Sequence, residues 1–166
     1  DYFDNLLSTC IEKNEDKELS FFELLTAVAF LAFSQNHADW TILEVGLGGR
    51  LDSTNIIERP RLGIITPISM DHEEFLGNSI RKIATEKAGI IKNGERMIFA
   101  KQKKSVLKIL RNKAKKLGCF TTIQDEDFRS VCNNSNLLFT DEEKTIHLPK
   151  PSLRGTHQVE NAGLAI

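Results

Sequence analysis

Leu43-Glu44-Val45-Gly46-Leu47-Gly48-Gly49-Arg50-Leu51-Asp52-Ser53-Thr54-Asn55 is the stretch on which the reading of this chain turns. The residues that lead into it, Trp40-Thr41-Ile42-Leu43, are β-branched and apolar enough for a strand buried on both faces, as parallel strands of α/β sheets are. Glu44 then falls near the carboxyl end of that strand and opens a glycine-rich polar turn, where missing side chains let backbone approach a ligand closely. Ligands of open parallel sheets bind beyond the carboxyl ends of the strands, so an acid here carries more functional weight than one in mid-loop. Taken alone, the cluster is equally compatible with a tight strand-to-loop turn and a solvated Glu. Gly46-Leu47-Gly48-Gly49 lacks the spacing of a dinucleotide fingerprint.

On the amino-terminal side, Ser20-Phe21-Phe22-Glu23 has the form of a capping box and precedes residues 24–33, apolar on nearly every face. That run predicts a buried helix beneath the sheet. On the carboxyl side, Leu62-Gly63-Ile64-Ile65-Thr66-Pro67-Ile68 predicts a second buried strand, ending at Ser69-Met70-Asp71-His72. Asn78-Ser79 then starts a helix whose Ile80, Ile83, Ala84 and Ala88 share one face. Met97-Ile98-Phe99-Ala100 predicts a third strand after the turn Lys92-Asn93-Gly94. A helix over about 105–117 follows, with Val106, Leu107, Ile109, Leu110, Ala114 and Leu117 inward. Its Lys104, Lys108, Lys113, Lys115 and Lys116 read as a solvated face rather than a nucleic-acid surface. Phe120-Thr121-Thr122-Ile123 is a fourth strand candidate, and Asn136-Leu137-Leu138-Phe139-Thr140 with Thr145-Ile146-His147-Leu148 flanks an acidic turn as a hairpin. Strand and helix alternating from 40 to 123 predict right-handed crossovers. The fold class is therefore α/β: a mostly parallel sheet flanked by helices, with the antiparallel hairpin as a supplement near its edge.

At 166 residues the chain has room for one α/β core, and one domain is expected. A net charge of -1 argues against nucleic acid or an anionic membrane as the main partner. Cys10, Cys119 and Cys132 are odd in number and lack metal-site spacing, so they read as reduced, packing thiols of a cytoplasmic protein. The longest apolar stretch is too short to span a bilayer. The chain opens on Asp1 rather than Met and closes at Ile166 within a growing helix, so a piece of a longer protein is expected.

Glu44 and His72 would stand at the carboxyl ends of two strands one crossover apart, where they could converge on one ion. Carboxylate oxygen and imidazole nitrogen, completed by water and phosphate oxygens, suit a Mg²⁺ that protein ligands alone serve poorly. A lone His after a strand is more often a structural or capping residue. Lys87, within Ile83-Ala84-Thr85-Glu86-Lys87-Ala88-Gly89-Ile90-Ile91-Lys92, has small and apolar neighbours. Burial of a lysine favours the neutral amine that covalent chemistry needs, whereas an exposed lysine would pair with Glu86 or Glu73.

The thirteen-residue stretch resembles the signature of folylpolyglutamate synthase and dihydrofolate synthase, ATP-dependent ligases akin to the cell-wall Mur ligases; it departs only at Ser53, where Ala is usual. Asp71-His72-Glu73-Glu74-Phe75-Leu76-Gly77 is similar to the family's Asp-His-x-x-x-Leu-Gly, and Glu86-Lys87-Ala88-Gly89-Ile90 to its carbamylated-lysine segment. Ser20-Phe21-Phe22-Glu23 resembles its Thr-x-Phe-Glu, and Gly155-Thr156-His157-Gln158-Val159-Glu160-Asn161-Ala162 its Gly-x-His-Gln-x-x-Asn-Ala. The resemblance implies Mg²⁺ held by Glu44 and His72, a catalytic lysine at Lys87 carbamylated by carbon dioxide, and adenine of ATP met by Asn161. It also implies a pteroate pocket lined by Ser20, Phe21, Phe22, Glu23, Leu51, Asp52 and Ser53. Aromatic faces beside placed polar groups suit a flat heteroaromatic ring, although Phe21 and Phe22 could equally be core.

The activity implied is transfer of phosphate from ATP to a folate or dihydropteroate carboxylate, and attack of the L-glutamate amine on the acyl phosphate. The fold implied is the Mur-type central ATPase domain, related to P-loop NTPases. Nothing in the chain has the form Gly-x-x-x-x-Gly-Lys-[Ser/Thr], so the phosphate cradle is missing. Residues 1–166 are accordingly expected to be a partial central domain, without the P-loop segment and the carboxyl-terminal glutamate-binding domain, and inactive alone. The missing segments could reside in a second chain of a split enzyme. Two alternatives stand beside this: another Mur-type ligase adding amino acids to cell-wall precursors, and a non-catalytic relic domain.

Overall fold

The computed structural model describes residues 1–70, 72–133 and 135–166. Three parallel strands form the first sheet: β1 (Gly63–Ile65), β2 (Arg96–Phe99) and β3 (Phe120–Ile123), in the order β1-β2-β3, with Ile64 opposite Ile98 and Ile98 opposite Thr122. The connections between them are helical, as parallel neighbours require. From β1 the chain runs through the single turn α3 (Glu73–Leu76), then α4 (Ile80–Lys87) and a 3₁₀ turn (Ala88–Ile90) to β2. From β2 it runs through α5 (Lys104–Lys116) to β3.

Ser79 caps α4 by accepting the amide N–H of Lys82. The three-and-four spacing of Ile80, Ile83, Ala84 and Ala88 then faces the sheet. Val106, Leu110 and Ala114 of α5 do the same, and with Ile65, Met97, Phe99 and Ile123 they make the main core. Phe99, Ile83, Met97, Leu110 and Val106 are fully buried; burial of each such side chain stabilises by roughly 1.5–3 kcal/mol. The lysines expected on the outer face of α5 are all exposed, and Lys113, Lys115 and Lys116 lie in the last turn, where the helix dipole favours cations.

The second sheet is antiparallel: β4 (Phe128–Cys132), β5 (Asn136–Asp141) and β6 (Thr145–Pro149), with α6 (Thr156–Ala165) packed on β4. Phe128 and Phe139 stack with centroids 5.5 Å apart. Together with Leu164 of α6 and Ala100 they form a second cluster, which meets the first sheet through Ile98. The amino-terminal part is a helical hairpin, α1 (Tyr2–Asn14) against α2 (Phe21–Gln35), with Leu6 and Val28 buried. The Ser20 capping box forms as its sequence predicts: Ser20 Oγ accepts from the Glu23 amide, and Glu23 Oε2 accepts from the Ser20 amide at 2.9 Å.

Three expectations are corrected and one is extended. Residues 40–43 belong to no strand or helix, and Trp40 and Ile42 are 67% and 91% exposed; burial on two faces needs a pairing partner and a covering layer, and the described structure gives this segment neither. Helix α2 packs on α1 and on the 3₁₀ turn Ser53–Ile56 rather than beneath the sheet, so only Val28 is fully buried along it. β1 is three residues long and Ile64 is 40% exposed, because α4 and α5 share one face of the sheet. The expected antiparallel hairpin is present as β5 and β6, and β4, which was not anticipated, pairs with it to complete a separate sheet. Among the described residues no helix is long and apolar enough to cross a membrane.

Candidate functional site

The glycine stretch is a compact loop whose shape is set by Asp52. One carboxylate oxygen of Asp52 accepts the amide N–H groups of Gly46 (3.0 Å) and Leu47 (2.8 Å), and the other accepts the amide (2.9 Å) and hydroxyl (2.5 Å) of Thr54. Burial pushes the Asp52 carboxyl upward, but the Thr54 hydroxyl and the three amide donors outweigh it and hold the group below the ordinary carboxylate range. Gly48 and Gly49 follow at φ 72° and 149°, a region that side chains disfavour. This lets the loop lie directly on its neighbours.

Those neighbours are the segments singled out in the sequence. A Cβ at Gly46 would stand 2.8 Å from the ring of Phe22, so the aromatic end of α2 covers the loop's start. Thr26 and Ser53 hydroxyls are 3.3 Å apart. At Gly48 a Cβ would meet Leu76 of α3 at 2.9 Å, and at Gly49 it would meet the Glu86 carbonyl at 2.9 Å and Lys87 Cα at 3.2 Å. The loop therefore joins the α2 end, the turn after His72 and the last residue of α4.

Lys87 is half-buried at this junction. His72 is exposed and occupies the amino-terminal cap of α3 at φ 47°, a left-handed conformation uncommon outside glycine and of the kind that collects at functional sites. Asp71, the first residue of its motif, lies outside the described residues. Glu44 is exposed, two residues ahead of the loop. Among the described residues, no group of three or more His, Cys, Asp or Glu is gathered so as to hold a metal ion. Ser20 and Glu23 spend their polar atoms on each other in the cap, with Ser20 Oγ donating to Glu23 Oε2 at 2.6 Å, and this lowers the Glu23 carboxyl below its usual range. Phe21 and Leu51 are 76% and 79% exposed.

Asn161 sits apart from the loop, exposed on α6. That helix is fastened near the carboxyl end of β2: Leu164 packs with Ala100, and Ser130 Oγ donates to the Val159 carbonyl at 3.1 Å. Buried Gln124, just past β3, accepts the Lys101 amide at 3.1 Å, and Lys101 pairs with Asp125 at 2.7 Å. The carboxyl edge of the parallel sheet is thus tied to the helix that carries Asn161. An open surface depression of about 500 Å³ is lined by Glu58, Arg59, Asn93 and Glu95, none of which belongs to this constellation.

Arg50, Asn55 and Glu86 were not singled out in the sequence, yet they hold the loop to α4. The Arg50 amide donates to the Glu86 carbonyl at 3.0 Å and its guanidinium to the Glu86 carboxylate at 3.2 Å. Asn55 Nδ2 donates to the carbonyls of Arg50 and Gly89. Only their places inside the two motifs pointed to them.

A parallel α/β sheet with a glycine loop lying on the crossover between β1 and β2 belongs to the class of open α/β domains that bind ligands at the sheet's edge. The Mur ligase middle domain family matches residues 4–166, and the chain belongs to that family. Within it, the chain is 40% identical over 162 residues to the dihydrofolate synthase/folylpolyglutamate synthase of Bacillus subtilis, covering 94% of this chain and 37% of that one. It is 36% identical to the dihydrofolate synthetase of Saccharomyces cerevisiae, covering 94% and 36%. Its fold is similar to Escherichia coli FolC solved with DHPP and ADP, at a TM-score of 0.87 and 27% identity, covering 99% of this chain and 39% of that one. The chain spans a little over a third of the length of these curated relatives.

Proposed function

We propose that this chain is the central domain of an ATP-dependent ligase that joins L-glutamate to the carboxylate of a folate or dihydropteroate compound. The observation that carries the reading is the glycine loop, whose backbone touches the aromatic end of α2, the turn after His72 and Lys87 at once. The names of the relatives, and the DHPP and ADP bound in the similar E. coli structure, support the substrate class.

In this reading Phe21, Phe22 and Leu51 offer apolar faces to the pterin ring, beside Ser20, Glu23, Asp52 and Ser53. Asp52 acts by fixing the loop, since its oxygens are taken by four donors. Asn161 presents a side-chain amide, donor and acceptor together, to the adenine. The substrate carboxylate attacks the γ-phosphorus and ADP leaves; the glutamate amine then attacks the acyl carbon, phosphate leaves, and the nitrogen loses its proton to solvent.

The pair Glu44 and His72, both exposed, would offer one carboxylate oxygen and one imidazole nitrogen. It fits Mg²⁺, which is commonly held by one or two protein groups plus water and substrate phosphates rather than by a closed protein cage. When bound, the ion supplies charge neutralisation at the phosphates. The amine of Lys87, in its neutral form, bonds to the carbon of carbon dioxide; one C–O π pair moves onto oxygen and the extra proton passes to water. This exchanges a cation for an anion beside the glycine loop.

The phosphate cradle and a glutamate-binding domain would come from segments other than these 166 residues, in the same polypeptide or as the partner in a split enzyme. The test is a coupled ADP-release assay with a pteroate or folate and glutamate. The chain alone is expected to turn over negligibly; turnover at ordinary enzyme rates would refute the division of labour. Isothermal calorimetry with the complementary segments supplied is expected to show Mg²⁺-dependent ATP binding, and its absence would instead mark a relic.

A further inference from the structure

We propose that the glycine loop is a clamp on the carboxyl end of α4, with Asn55 and Gly89 as positioning residues that fix the backbone from which the Lys87 side chain reaches. This rests on the reading of Lys87 as the residue that takes up carbon dioxide. The last carbonyls of a helix have no partner within it and usually turn to water or to a glycine cap. Here the Glu86 carbonyl takes the Arg50 amide at 3.0 Å and the Gly89 carbonyl takes Asn55 Nδ2 at 3.3 Å. The same Asn55 amide group donates to the Arg50 carbonyl at 3.2 Å, so its two hydrogens tie loop and helix end together. Its backbone carbonyl accepts Lys92 Nζ at 3.0 Å, which anchors the clamp beyond the 3₁₀ turn.

Sterics close it further. A Cβ at Gly89 would run into Cα and Cβ of Arg50 and come 2.8 Å from its nitrogen, mostly backbone atoms that cannot swing aside. Across the junction, Gly49 lies against Lys87 Cα itself. The Lys87 backbone is thus held by the loop from two directions, which leaves the amine only side-chain rotation. Carbon dioxide adds to lysines reversibly, so the modified fraction depends on how well the amine is held beside the groups that stabilise the carbamate. A clamp that orients Lys87 raises that fraction without touching the carbon dioxide. Asn55→Leu removes the donors while keeping a branched side chain of the same heavy-atom count; Gly89→Ala pushes the two backbones apart.

The experiment is ¹³C NMR of the chain, with the complementary segments supplied, in ¹³C-labelled bicarbonate with Mg²⁺ and ATP, the carbamate resonance being assigned by its loss in Lys87→Arg. Both variants are expected to lose about fivefold or more of the carbamate signal, since a carbamate displaced from the groups that stabilise it loses part of that stabilisation and a fivefold change corresponds to only about 1 kcal/mol. Circular dichroism and a cooperative unfolding transition should persist, and the exposed control Thr85→Ala should keep the full signal. Equal signal in wild type, Asn55→Leu and Gly89→Ala overturns the clamp and leaves the reading of Lys87 standing. No signal in wild type overturns both. If Gly89→Ala fails to fold, Asn55→Leu, which leaves the backbone unaltered, decides alone.

Discussion

Replacing Asp52 by Asn tests whether one carboxylate shapes the glycine loop. The substitution keeps the volume but leaves one acceptor oxygen where there were two. If the amide oxygen stays with Thr54, the new NH₂ faces the N–H groups of Gly46 and Leu47, and two donations to a charged acceptor are lost. Each such bond is worth about 1.5–3 kcal/mol, but water can take over part of the loss at these partly exposed amides, so the expected cost is about 2 kcal/mol. With a urea slope of about 2 kcal/mol/M, the unfolding midpoint should fall by roughly 1 M, and the thermal midpoint by roughly 4–8 °C.

The pH dependence supplies a second readout. Asp52 has its folded-state pKa below its unfolded value, so its contribution is fully present above about pH 4 and is lost as pH falls through the folded pKa. The gap between wild type and Asp52→Asn should therefore narrow as the pH is lowered beneath about 4. A midpoint shift under about 0.25 M at neutral pH, or a gap unchanged into acid, would refute the reasoning.

Leu110→Ala, at the fully buried centre of α5, is expected to cost about 2–5 kcal/mol in urea unfolding, whereas Lys113→Ala on the outer face of the same helix should lie within about 0.5 kcal/mol of wild type. Gly163→Ala would press a methyl 2.6 Å from Ser130 Cβ; overpacking of about 1–3 kcal/mol is expected, with faster amide exchange along α6 as the local signature. Arg50→Ala removes an ion pair whose arginine is more than half exposed, so stability should change by less than about 1 kcal/mol in unfolding experiments. In titrations with the complementary segments supplied, Glu44→Gln and His72→Ala are expected to abolish Mg²⁺-dependent ATP binding, while Lys108→Ala retains it.

Elements whose spacing and boundary chemistry agree were legible in the sequence. Ser79 and the spacing of Ile83, Ala84 and Ala88 define α4; Val106, Leu110 and Ala114 define α5; Ser20 and Glu23 start α2 where the capping box places it. What failed were statements about depth. Trp40-Thr41-Ile42-Leu43 has the composition of an interior strand, but composition reports what a segment can bury, not whether a neighbour is there to bury it. The apolar run of α2 misled for the same reason: its partner is α1, one helix rather than a sheet. β4 escaped because Phe128-Arg129-Ser130-Val131-Cys132 is polar at two of its five positions and begins at a bend where Asp125 takes φ 70°. At the site, the motifs marked Gly48, Gly49 and Lys87, but the bond from Asn55 to Gly89 spans 34 positions and no local pattern announces it.

The outer edge of β1 carries a consequence for how this polypeptide behaves in a test tube. Among the described residues Gly63–Ile65 pairs only with β2, which leaves its other side without a ladder partner beside the part-exposed Ile64, while residues 40–43 belong to no ladder and Ile42 is almost wholly wet. Such a seam accepts any strand that arrives, and at high concentration the arriving strand is another molecule of the same kind. Clumping that grows with concentration and recedes when charge is placed at Ile42 or Ile64 would be the mark of that unfinished border.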